Sequence, residues 1–345
     1  MSLQTVLKEI REKKIAPIYL VLGTEIYLSE LFKTELLSQL FESGDDEFNV
    51  TSYDMEEVSL SVALAEAETL PFFGDHRLVF VENPYFLTSE KKNNGIEHDI
   101  KELTDYLEQP SESTILVFHA SVEKLDERKK VTKLLKKTAA VVDVSPMDDK
   151  ALRSYVQQSI QSEGYEIEPK AFDLLLHLSD FQLTKIMGEL QKLYLFSSDE
   201  KRILLSTVEA LVPKSLEHNV FDLSSEILSG NSGKALQTYE DLLLQGEETI
   251  KLSAILLSQI RLLLQIKILS QLGYQQANIA EALKVHPYRI KLGLQQSKRF
   301  ELARLEKIFD ELVENDFIVK TGKMDKELLF ELFILKISGQ TKQPS

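Results

Sequence analysis

"PIYLVLGTEIYLSE", residues 17–30, decides the fold. An unbroken apolar run from Ile18 to Leu22 stops at Gly23, and a helical pattern, "YLSELFKTELLSQLF" (27–41), follows at once. An apolar run bounded by glycine reads as a strand covered on both faces. The same unit recurs outward from it. "FNVTSYD" (48–54), "RLVFVEN" (77–83), "STILVFHA" (113–120) and "AAVVDVSP" (139–146) read as strands. Between them, "LSVALAEAET" (60–69), "IKELTDYLEQP" (100–110) and "KLDERKKVTKLLKKT" (124–138) read as helices. Alternation of this kind predicts an α/β domain with a mostly parallel sheet.

The turn after the first strand is where such a domain would cradle a nucleotide phosphate. That chemistry needs G-x-x-x-x-G-K-[ST], with glycines for close backbone approach, lysine for the phosphates and a hydroxyl for magnesium. Counting from Gly23, the second glycine is Leu28, the lysine is Ser29 and the hydroxyl is Glu30. A carboxylate there repels phosphate. Either the site has decayed or this strand–turn–helix never bound a nucleotide; both readings predict no ATP hydrolysis. "LVFVEN" repeats the theme, since Glu82-Asn83 stands where a magnesium-holding acidic pair would be.

Composition sets the limits. At about 100–200 residues per domain, 345 residues predict two or three domains. There is no cysteine, which excludes disulfide and thiol chemistry and suits a reducing interior. Six scattered histidines show no metal-ligand spacing, so no metal site is expected. The start "MSLQTVLKEIREKK" lacks a secretory apolar core. The most lipophilic run, "LSAILLSQIRLLLQIKIL" (252–269), is interrupted by Arg261 and Lys267 and reads as a buried helix rather than a membrane span. A cytoplasmic protein is expected. The net charge of −15 argues against unaided, non-specific nucleic-acid binding.

After Pro146 no further strand is expected. Residues 147–210 read as a small helical domain and 211–345 as a second, all-helical one, with "SGQTKQPS" as a tail. "GYQQANIAEALKVHPYRIKLGLQQ" (273–296) has the outline of a helix-turn-helix. It reads either as a DNA-reading element or as bundle packing. Tyr288, Arg289 and Lys291, with Lys298 and Arg299, form a local basic cluster able to touch a phosphate backbone.

One turn is out of character. "ETLPFFGDHRLVFVEN" (68–83) places Leu70, Pro71, Phe72 and Phe73 where turns are usually polar. Pro71 ends the preceding helix and Gly74 permits a sharp reversal, so the turn is pinned. Its apolar residues either fold into the core or are displayed to a partner. Leu70 and Phe73 are expected to face outward, and Phe72 to be partly in the core.

Taken in order, these segments resemble the delta subunit of the bacterial DNA polymerase III clamp loader, in its Gram-positive form. The resemblance is carried by "PIYLVLGTEIYLSE", "TLPFFGDHRLVFVEN", "STILVFHASVEKLDERKKVTKLLKK" and "SDFQLTKIMGELQKLYLF" (179–196). It continues through "GYQQANIAEALKVHPYRIKLGLQQSKRF" and "KTGKMDKELLFELFILKI", over nearly the whole chain. It implies an AAA+-like α/β domain (1–146), a helical lid (147–210) and an all-α collar (211–345). The collar would pack in a hetero-pentameric ring with the loader's ATPase subunits and the delta-prime subunit. It further implies no ATP binding and no cofactor, with Gln182 standing where active relatives carry a phosphate-sensing arginine. Leu70, Pro71, Phe72 and Phe73 would grip the sliding clamp and help open it, within a holoenzyme whose overall activity is DNA synthesis. Primer–template DNA would be met only in that complex. The alternative is a free-standing AAA+ ATPase, or a DNA-binding regulator that uses 273–296.

Overall fold

A computed structural model describes residues 3–41, 46–72, 74–90 and 96–339. The chain divides into two compact units, Met1–Leu211 and Val212–Ser345.

The first unit is built on five parallel strands: β1 (Ile18–Leu22), β2 (Val50–Asp54), β3 (Arg77–Glu82), β4 (Thr114–Ala120) and β5 (Ala140–Asp143), in the order β2-β3-β4-β1-β5. The central strands are the continuous apolar runs. Ile18 pairs with Leu116 and Val79 with Leu116 on its other side, so β4 is flanked by β1 and β3. Helices cover the sheet, and Leu20, Val79, Val81, Leu116 and Phe118 are sealed in a core with Leu60, Leu64, Leu103 and Leu135. Chain order jumps at β1, which lies between β4 and β5 while its successor β2 is at the far edge. The carboxyl ends of strands at such a switch point are where open α/β sheets place their sites.

Three sequence expectations change. Residues 48 and 49 do not begin a strand, because Asp46–Asn49 is a short helix that leads into β2. The helix read from 124 starts only at Lys130. Asp126 takes the Arg128 amide and guanidinium, and Lys129 Nζ donates to the Phe86 and Thr88 carbonyls at 2.9 and 2.7 Å. Those bonds hold the approach in a turn. Strands also do not stop at Pro146. Glu166–Ile167 pairs in parallel with Arg202–Ile203, with Glu168 and Arg202 ion-paired beside them. Two-residue strands are too short to show a period. The helices around this pair are Asp149–Ser162, which precedes it, and Pro169–Leu178 and Leu183–Phe196, which lie between its strands. The first is capped by Asp148, which accepts from the Ala151 amide at 2.7 Å.

The second unit is helical throughout its described residues. Its centre is Thr249–Gln271, a helix long and apolar enough by composition alone to cross a membrane. One stripe of it, including Leu252, Leu256, Ile260 and Leu263, is buried among residues of Leu216–Leu228, Ser232–Leu244, Leu302–Lys320 and Lys326–Gly339. The two charges that interrupt the run are placed. Arg261 lies over the Phe309 ring and Lys267 donates to the Ser297 carbonyl.

Candidate functional site

The carboxyl ends of β1, β4 and β3 are neighbours, and they bring the degenerate phosphate-loop residues together. Gly23 has φ +139°, and a Cβ there would overlap the backbone of Val144 and Ser145. Its glycine is therefore required by the close approach of β1 to the segment after β5. The loop amides are engaged within the chain: Gly23 donates to the Ala120 carbonyl at 3.3 Å and Glu25 to that of Val144 at 2.9 Å. Glu25 caps the helix Ile26–Leu40, accepting from the Tyr27 amide at 3.4 Å. Its carboxylate also accepts from the Thr184 hydroxyl at 2.8 Å, at the start of Leu183–Phe196. Gln182, the N-cap of that helix, is exposed and makes no side-chain cap bond.

Leu28 is buried beneath this loop and Glu30 is exposed. Ser29 enters a chain of hydrogen bonds that no single segment reveals. Its hydroxyl lies 2.9 Å from His119 Nε2, and His119 Nδ1 lies 2.6 Å from Glu82 Oε2. An ionised Glu82 can only accept, so Nδ1 carries the hydrogen, and a neutral ring then receives the serine hydroxyl hydrogen at Nε2. The same order of groups activates serine in some hydrolases. Here the amides of Gly23, Glu25, Tyr27 and Ser29 are all committed to acceptors within the chain, so the array reads as a tether between β3, β4 and the first helical turn. Glu25 and Glu82 place carboxylates at this end of the sheet.

The apolar turn is a second feature of the same unit. Helix Leu60–Ala67 ends at Glu68, and the chain turns outward. Leu70 is 76% and Phe72 67% exposed. The expectation that Phe72 is partly in the core is not met; its ring instead lies against that of Phe48, with centroids 5.7 Å apart and planes at 31°. Two buried polar side chains hold the backbone. Asn49 Oδ1 accepts from the Phe72 amide at 2.7 Å, and Arg77, ion-paired with Glu66, donates to the Leu70 carbonyl at 3.1 Å. Pro71 lies between these fixed points, half-buried. Gly74 has φ +71°, the left-handed geometry that suits the reversal into β3. Phe73 lies outside the described residues. Sequence reasoning missed Phe48, Asn49 and Arg77. Asn49 sits 23 residues before Phe72 in the chain, with Phe48 just ahead of it, and only the pairing of β2 with β3 brings them beside the turn.

In the second unit, helices Gln276–Leu283 and Pro287–Ser297 meet at Lys284, which adopts φ 53°. Ile279, Ala280 and Ile290 form a small core with Ile266 of the long helix. A Cβ on Gly293 would overlap Ile266 Cδ1, so the two helices approach closely along that face. Arg289 and Lys291 are on the exposed side, with Lys298 and Arg299; Tyr288 is half-buried.

Comparisons with known proteins agree with this architecture. Residues 19–145 match the family model described as DNA polymerase III, delta subunit. Residues 217–337 match the model for the C-terminal domain of the same DNA polymerase III protein. The chain is 40% identical to DNA polymerase III subunit delta of Bacillus subtilis over 330 residues, 96% of this chain and 95% of the relative. It is 23% identical over 278 residues to a probable DNA polymerase III subunit delta of Aquifex aeolicus, covering 80% and 77% of the two chains. Among solved structures, the Bacillus subtilis DNA clamp loader delta protein superposes with a TM-score of 0.76 at 39% identity, over 98% of this chain and 99% of that one. The chain belongs to the delta-subunit family of DNA polymerase III, and its fold is the AAA+-like one of clamp-loader proteins.

Proposed function

We propose that this protein binds the sliding clamp through Leu70, Pro71, Phe72 and Phe73, and opens the clamp ring for the ATP-driven loader. The observation that carries the proposal is the exposure of Leu70 and Phe72 on a backbone fixed by buried Asn49 and Arg77. A pinned apolar turn loses little conformational freedom on docking. Opening further requires tighter binding to the opened ring than to the closed one, because a ligand shifts an equilibrium only by its differential affinity.

The protein supplies no ATP hydrolysis of its own. Leu28, Ser29 and Glu30 replace the phosphate-loop groups, and Glu25 joined to Thr184 occupies the approach to the loop. This is what disfavours a free-standing ATPase. Residues 1–146, 147–210 and 211–345 act as AAA+-like, lid and collar domains in the cytoplasmic replisome. Leu328, Leu332 and Leu335, about half exposed along one stripe of Lys326–Gly339, offer the collar an apolar face for the ATPase or delta-prime subunits. Tyr288, Arg289 and Lys291 meet primer–template DNA only within the assembled loader.

The test is the double variant Leu70→Ala/Phe72→Ala, with its fold checked by circular dichroism and its affinity measured for the purified sliding clamp. Burying each side chain contributes roughly 1.5–3 kcal/mol, so the loss should be at least about 100-fold. Unchanged affinity would remove the turn from the interface. Micromolar binding of labelled ATP by the isolated protein would overturn the nucleotide-free reading.

A further inference from the structure

We infer that Phe48 is a second anchor of the clamp grip, so that the contact is a composite surface drawn from two distant segments. The inference rests on the reading of the Leu70–Phe73 turn as the clamp contact.

Phe48 lies on the short helix Asp46–Asn49 and is 57% exposed. Large apolar side chains exposed singly are ordinary on any protein. These are not single: Phe48, Leu70 and Phe72 lie on one corner of the first unit, and the rings of Phe48 and Phe72 are in contact at a centroid distance of 5.7 Å. A partner pocket that receives Phe72 therefore meets Phe48 at the same time. Interfaces concentrate their affinity in a few clustered aromatic and apolar anchors. Two rings from different segments give such a cluster more buried area than one turn can.

The link between the segments is built into the fold. Asn49, adjacent to Phe48, has no exposed surface, and its Oδ1 takes the Phe72 amide at 2.7 Å. An amide side chain withdrawn from water and aimed at that amide fixes the spacing of the two segments. β2 follows Asn49 directly and pairs with β3, which follows the turn, so the sheet register holds both ends. The two rings are thus presented as a unit, and the partner chemistry they fit is an apolar pocket wide enough for a pair of aromatic rings. That pocket is continuous with the one proposed for Leu70 and Phe72.

The experiment compares Phe48→Ala, Phe48→Lys and Leu70→Ala in the full-length protein against the purified sliding clamp, with melting temperatures measured alongside. The lysine variant keeps an aliphatic stem on the Phe72 ring while placing a charge at the pocket, so it remains informative if the alanine variant melts early. Both Phe48 variants should weaken binding by about 10-fold or more, as loss of an aromatic anchor does. In a cycle with Phe72→Ala, the combined loss should fall short of the product of the single losses, because the two rings act together. If Leu70→Ala weakens binding while both Phe48 variants bind as the parent does, the second anchor is refuted and the turn stands. If Leu70→Ala also leaves binding unchanged, the clamp-contact reading of the corner falls with it.

Discussion

The approach of two helices in the second unit can be tested by replacing Gly293 with alanine. In an exposed helix this change is favourable by about 1 kcal/mol, because glycine has the greater conformational freedom to lose. Here the added methyl would overlap Ile266 Cδ1, in a side chain with no exposed surface. Leu263 Cδ2 and Ile266 Cγ1 would stand at ordinary contact distances of 3.7 and 3.8 Å, so the conflict is with a single methyl group. Overpacking of this kind costs typically about 1–3 kcal/mol. Gly293→Ala alone should therefore range from neutral to about 2 kcal/mol destabilising, the difference between the two opposing effects. Ile266→Val deletes the obstructing methyl at a cost of about 0.5–1.5 kcal/mol. In that background the clash is gone and the helical preference of alanine remains. The double variant should be at least as stable as Ile266→Val alone, with a favourable coupling of about 1–3 kcal/mol. Urea unfolding of the four proteins, followed by circular dichroism, measures the cycle. Gly293→Ala stabilising the parent by about 1 kcal/mol, with no coupling to position 266, would refute the close approach.

Three further outcomes follow from particular contacts. Gly23→Ala should destabilise the first unit by more than the roughly 1–3 kcal/mol of a strained backbone, since its Cβ also meets Val144 and Ser145; a melting temperature within error of the parent would contradict this. Burial lowers the pKa of His98, whose Nδ1 accepts the Leu60 amide at 3.1 Å. Its neutral ring therefore contributes stability that is present above the ordinary value of about 6.5 and is lost as pH falls below it towards the depressed folded value. His98→Asn, which retains an acceptor, should flatten the stability profile over that acidic window, and an unchanged slope would refute the assignment. The DNA contact proposed for the exposed Arg289 and Lys291 predicts that Arg289→Glu/Lys291→Glu lowers the affinity of the assembled loader for primed DNA and reduces its salt dependence by roughly 0.9 per lost phosphate contact; an unaltered salt slope would remove these side chains from the DNA path.

Much of the first unit is legible in the chain because its central strands are buried on both faces. Runs such as Ile18–Leu22 and Leu78–Val81 have no charged positions, and the only polar group in them is the Tyr19 hydroxyl, which accepts the Ala16 amide at 2.9 Å. Where side-chain bonding overrides local pattern, reading fails. Lys129 is drawn out of a helical sequence by the Phe86 and Thr88 carbonyls, and Asp46–Asn49 takes a helical turn before β2 begins.

The candidate site divides in the same way. Spacing alone shows that a lysine and a second glycine are missing after Gly23, and that Leu70, Pro71, Phe72 and Phe73 stand together in a turn. Those are statements about neighbours along the chain, which periodicity and residue chemistry can make. That Ser29, His119 and Glu82 join and that Phe48 lies on Phe72 are decided by which strands become neighbours in the sheet, and that Glu25 reaches Thr184 by the packing of helix Ile26–Leu40 against Leu183–Phe196. Register and crossover order arise from packing all five strands and their covering helices at once, and no local segment encodes them.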